Sequence, residues 1–84
     1  MKSKKHLGLV ASLPCCICGT EPVQCHHIRG YPFSGAGQKA SDLATIPLCP
    51  SCHVGYHASP KTWEMRNGSQ VSHLMATWEK LLHG

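Results

Sequence analysis

Long apolar runs, acidic side chains and internal repeats are what this 84-residue chain has little of. No stretch approaches the ~20 apolar residues that span a bilayer, so no membrane partner is expected. No apolar signal segment precedes the cysteines either. Met1-Lys2-Ser3-Lys4-Lys5 leads straight into a short mixed stretch, and the expectation is a reduced, cytoplasmic setting. Four acids face eight lysines and arginines, for a net charge of +4. That balance suits a polyanion, nucleic acid first, and it also serves solubility alone. A nucleotide P-loop is excluded: Gly30 and Gly35 have its separation, but Ala36 stands where the lysine should follow. With no repeat, low-complexity tract or second unit, residues 1–84 read as one domain. A domain this short hides only about 60% of its unfolded surface, so something besides hydrophobic burial must stabilise it.

Six cysteines and seven histidines are present instead. Tetrahedral zinc takes four soft ligands at about 2.3 Å, and a Cys-x-x-Cys pair supplies two of them from one turn. Cys15 and Cys18 form one such knuckle, with Gly19 permitting its tight turn, and Cys49 and Cys52 form the other. These four are assigned to a structural zinc ion. Cys16 leaves a poorer one-residue gap to Cys18, and Cys25 lies on an expected strand; both read as small buried thiols.

Ser3 is placed to cap a helix over about Lys4 to Ser12, with Leu7, Val10 and Leu13 on one side and Pro14 ending it. Strands are expected over Val23 to Ile28 and Leu43 to Leu48, joined by a glycine-rich loop. Pro50 suits the first turn of a helix, and the stretch through Tyr56 contains no later breaker except Gly55. Ser59-Pro60 opens another, which Asn67-Gly68 closes, and Ser69 starts the last. In that last helix Val71, Leu74, Met75, Trp78, Leu81 and Leu82 recur at helical spacing and read as core or packing surface. The predicted fold class is α+β: an N-terminal helix over 1–13, a zinc-stabilised hairpin-plus-helix core over 14–58, and C-terminal helices over 59–84.

A bare zinc ribbon does not need the histidines. Neighbouring strand side chains point to opposite faces, so adjacent His26 and His27 suit different roles, one on metal and one toward substrate. His53 and His57, at i and i+4, form a two-imidazole clamp on one helix face.

The segments Cys15-x-x-Cys18, Cys25-His26-His27-Ile28 and Pro47-Leu48-Cys49-x-x-Cys52-His53-x-x-x-His57 resemble the HNH, or ββα-metal, nuclease superfamily in its zinc-stapled form. Leu13-Pro14-Cys15-Cys16-Ile17-Cys18-Gly19, His26-His27-Ile28-Arg29 and Gly37-Gln38-Lys39-Ala40-Ser41-Asp42 are similar, more narrowly, to the phage recombination-enhancement (Ref) nucleases and their small prophage relatives. The resemblance implies a ββα-metal core, a metal-dependent DNA endonuclease and a bacterial or phage-infected host. It makes His27 the general base and His26, His53 and His57 the ligands of a catalytic divalent ion, Mg2+, Mn2+ or Zn2+. It also makes a recombinase filament a conceivable partner. The family's usual asparagine is absent: Ala44 stands near its place, with Asp42 and Thr45 close by. Asp42 is a candidate to accept the His27 ring N–H or to contribute to metal binding, and equally a turn or cap residue.

Neutral imidazole is suited to deprotonate water near neutral pH. Arg29 and Lys39, in a loop with Tyr31 and Phe33, are candidate DNA contacts. Two other readings stand beside the nuclease. One is a catalytically silent zinc module that binds nucleic acid; the other is a zinc-stapled interaction domain using Trp63, Trp78 and the terminal helix. A general base beside a metal-binding set separates the first from both.

Overall fold

In the computed structural model, which describes residues 2–28 and 41–83, the elements follow as α1 (Lys4–Ala11), β1 (Gln24–His27), β2 (Thr45–Leu48), α2 (Pro50–Ala58), α3 (Pro60–Asn67) and α4 (Gln70–His83). The described residues thus form a small α+β fold, four helices around a two-stranded antiparallel hairpin. Arg29, Lys39, Tyr31 and Phe33 lie outside them.

Local chemistry sets the element ends. The Ser3 hydroxyl accepts the His6 N–H at 3.1 Å, satisfying a donor that the first turn of α1 leaves over. Pro50 and Pro60 occupy first-turn positions in α2 and α3, where a missing N–H costs nothing. Ser59 takes the expected cap position of α3, but its hydroxyl donates to the Thr62 hydroxyl at 2.9 Å rather than accepting a backbone N–H. Gly68 ends α3 at φ +89, a left-handed conformation that disfavours side chains. The Ser69 hydroxyl then accepts the Ser72 N–H at 3.1 Å as α4 begins.

The hairpin pairs Gln24 with Leu48, Cys25 with Pro47, His26 with Ile46 and His27 with Thr45. Pro47 is tolerated because its own side of the strand faces away from β1. Its carbonyl points outward and accepts the Cys16 N–H at 3.0 Å, so no ladder bond is lost and the first knuckle is tied to β2. The strands are shorter by one or two residues at each loop-facing end than their apolar runs suggested. Ile28 nevertheless continues the pairing, its N–H reaching the Ala44 carbonyl at 3.0 Å.

All four residues of β2 are buried, because helices cover the strand as well as β1. Ile28, Ile46, Leu48, Tyr56, Trp63 and Leu74 make the core around it, with Cys15 and Cys49 joining from the knuckles. The α4 stripe divides: Leu74 is buried, Val71 packs against the core, and Met75 and Leu82 stand 61% and 82% exposed. Trp78 lies at the boundary and donates its indole N–H to the Leu43 carbonyl at 2.8 Å. Trp63 is only 6% exposed, against Tyr56 and His73, and so is a core residue rather than an interaction surface.

Candidate functional site

The two knuckles meet beside the hairpin. The sulfurs of Cys15, Cys18, Cys49 and Cys52 all lie within 4.8 Å of one another. Around a zinc ion with bonds of about 2.3 Å, tetrahedral sulfurs are about 3.8 Å apart. Cys18 and Cys49 are separated by 3.5 Å, and Cys52 and Cys18 by 3.8 Å. Spacing and donor type therefore both fit zinc.

The thiols are prepared unequally. The Thr20 hydroxyl and backbone N–H, with the Cys49 side chain, lower the Cys18 pKa to about 6. At Cys15 burial pushes upward, but backbone N–H groups of Cys18, Cys49 and Ile17 outweigh it, and the pKa lies below the ordinary value. Burial, then the crowding sulfurs, raises Cys52. Four thiols this close cannot all ionise without a cation, and a divalent ion supplies it. Cys16 stays apart, pushed up to about 12 by its burial and by the neighbouring Cys15. Cys25 is also raised by burial, and its thiol donates to the Leu7 carbonyl at 3.3 Å. Both are half-buried, less covered than expected, and neither belongs to the four-sulfur group.

A second cluster is built from β1 and α2. Alternation along β1 puts Gln24 and His26 on one face, and α2 brings His53 and His57 to it one helical turn apart. The ligand atoms of these three histidines lie within 4.8 Å of one another. His26 Nδ1 is 3.3 Å from His53 Nε2, which is 3.0 Å from His57 Nε2. Nitrogens bound at about 2.0–2.1 Å to one ion are separated by about 2.9–3.4 Å, so this set also fits a metal. Burial is graded, from His26 at 2% exposed to an exposed His57, so the cluster has a closed floor and an open rim. The His26 ring rests against Tyr56 at 4.5 Å between centroids.

Two glutamines back this cluster, and sequence reasoning missed both. The Gln70 side-chain oxygen lies 2.9 Å from His26 Nε2, and that of Gln24 lies 2.6 Å from His53 Nδ1. Gln70 left one signal: with Leu74 and Thr77 it keeps helical spacing on the buried face of α4, a polar residue at a core position.

His27 projects to the opposite face of β1. Its Nε2 donates to Asp42 Oδ1 at 2.9 Å, while Asp42 Oδ2 accepts the Ser3 N–H at 2.7 Å. The His27 bond, with the Ser3 N–H behind it, holds the Asp42 carboxyl below its ordinary range. Two of the roles open to Asp42 are met together: it lies in a turn, and its carboxylate holds the His27 ring. Ala44 is buried in the core, and the Thr45 hydroxyl donates to the Asp42 carbonyl at 2.9 Å, fixing the turn that carries the carboxylate. The His27 side chain remains 39% exposed.

Among the described residues, no helix is long and apolar enough to cross a membrane. No solved structure matches the chain. The chain is similar to the uncharacterized protein YdfU of Escherichia coli (strain K12), 35% identical over 68 residues, which is 81% of this chain and 20% of that protein. The chain thus spans about a fifth of that relative's length. A family model described as a protein of unknown function (DUF968) matches residues 1–83, and this chain belongs to that family.

Proposed function

We propose that this chain is a metal-dependent DNA endonuclease of the HNH type, acting in phage or prophage DNA processing. One observation carries the reading: a half-exposed histidine held by a carboxylate stands next in sequence to a histidine of a three-imidazole cluster, on a hairpin stapled by four cysteines. A zinc module that only binds, or one that only docks a protein, needs no such histidine.

The residues divide the work. A carboxylate can only accept, so the 2.9 Å contact puts the neutral ring's proton on His27 Nε2 and leaves Nδ1 as the basic atom. Nδ1 takes the proton from the water that attacks phosphorus. Asp42 keeps the ring in that tautomer and stabilises the imidazolium that forms. His26, His53 and His57 would hold the divalent ion, which supplies positive charge against the phosphate and the leaving 3′ oxygen. Three imidazoles suit zinc and other transition ions better than magnesium. DNA is the substrate in this reading, with Arg29 and Lys39 as phosphate contacts and a recombinase filament as a partner of the wider reaction.

The test is supercoiled plasmid incubated with zinc-replete protein and added Mn2+, Mg2+ or Zn2+, or with chelator. Nicking with at least one ion and none with chelator is expected. Intact plasmid under every ion, with the histidine site shown to be loaded, would reject the nuclease.

A further inference from the structure

We propose that Gln70 and Gln24 are positioning residues of the histidine cluster, fixing the ring tautomers that turn it into a metal site, and that α4 is thereby part of that site. The proposal rests on reading the three histidines as metal ligands, and not on DNA cleavage.

A carboxamide oxygen can only accept a hydrogen bond. The 2.9 Å contact to Gln70 therefore puts a proton on His26 Nε2 and leaves the lone pair on Nδ1. The 2.6 Å contact to Gln24 likewise puts a proton on His53 Nδ1 and leaves the lone pair on Nε2. These two lone-pair atoms are the ones that face each other across 3.3 Å, with His57 Nε2 3.0 Å from the second. Two acceptors at that distance repel unless a cation lies between them. Both glutamines thus select the one tautomer pair that converges on an ion, and His26 binds through Nδ1 while the α2 histidines bind through Nε2.

Gln70 is fixed for this task. It is 1% exposed and lies at the first residue of α4, where its own N–H donates to Glu64 Oε2 of α3 at 3.0 Å. Leu74 and Thr77 lie buried on the same face and seat the helix. Gln24 is exposed, so water is able to replace its oxygen at His53. The two positions therefore carry unequal weight. Both partners are also neutral, and none of the three clustered ligands is a carboxylate, so a bound ion keeps its full charge for an anionic ligand such as a phosphodiester.

The experiment uses the full chain with its four-cysteine site filled with zinc. Ring tautomers are read by long-range proton–nitrogen NMR before a second ion is added, and affinity by titration with Co2+, whose visible bands report its ligands. Wild type is expected to show His26 protonated at Nε2 and His53 at Nδ1. Gln70→Leu should mix the His26 tautomers and weaken Co2+ binding by about 10- to 100-fold, the usual cost of losing a partner that orients a ligand. Gln70→Glu, which keeps the acceptor, should restore both, and Gln24→Leu should cost less than tenfold by the same reasoning. Wild-type affinity in Gln70→Leu would overturn the proposal. A wild-type His26 protonated at Nδ1 would overturn it even if the variant failed to fold. A protein with this pattern that never nicks DNA would keep the proposal and lose the nuclease.

Discussion

At His27 a single neighbour divides the roles of the two ring nitrogens. Asp42 takes Nε2–H, and the lone pair is left on Nδ1. Asp42→Asn should keep the fold, since Ser3 N–H still finds an oxygen, yet slow plasmid nicking by ~10-fold or more, because a carboxamide no longer dictates the tautomer or stabilises the imidazolium. An unchanged rate constant would remove Asp42 from the mechanism. His53→Ala or His57→Ala acts elsewhere: each should abolish binding of the second ion while the four-cysteine zinc stays, as metal analysis of the dialysed proteins would show. Retention of two ions per chain would count against the cluster as a metal site.

The elements show why some of this was legible in the sequence and some was not. Cys15 with Cys18, Cys49 with Cys52 and His53 with His57 are local pairs, and their spacing alone brings each pair to one side of a turn or helix. Strand alternation by itself separates His26 from His27. Asp42 was one candidate among several roles, since a contact 15 residues away depends on how the loop returns. The bond from His26 to Gln70 spans 44 residues, and that from His53 to Gln24 spans 29. No local pattern marks a glutamine as an acceptor for a distant ring. Within the α4 stripe, read as core or packing surface, the sequence did not divide one from the other for a related reason: periodicity finds an apolar face, but only packing decides how far the cover extends over Met75 and Leu82. At α1, Ser3→Ala removes the hydroxyl cap and leaves the N–H to Asp42 in place. It should lower stability by about 1 kcal/mol in a urea melt with little change in nicking. A large loss of nicking at constant stability would mean that the cap acts on the site.

Across the whole molecule, the four cysteines tie the first knuckle, the end of β2 and the start of α2 into one unit; His53 and His57 of the second site sit on that same α2, and His26 on β1, the strand paired with β2. In small zinc proteins the energy of metal binding is largely the energy of folding. Cys15→Ser or Cys49→Ser should therefore unfold the chain, and circular dichroism and melting unchanged after complete zinc removal would contradict that role. With chelator blocking cleavage only at the second site, DNA affinity should fall steeply as salt rises, since phosphate contacts release counterions; Arg29→Ala and Lys39→Ala should weaken it. Salt-independent binding would favour the protein-docking reading. The most direct measurement compares metal-loaded wild type with His27→Ala, freed of contaminating nuclease, on supercoiled plasmid. The variant should keep the fold, the zinc and the second ion and nick ~10²-fold more slowly or worse, the scale of a lost general base. Nicking at the wild-type rate would contradict the catalytic role of His27.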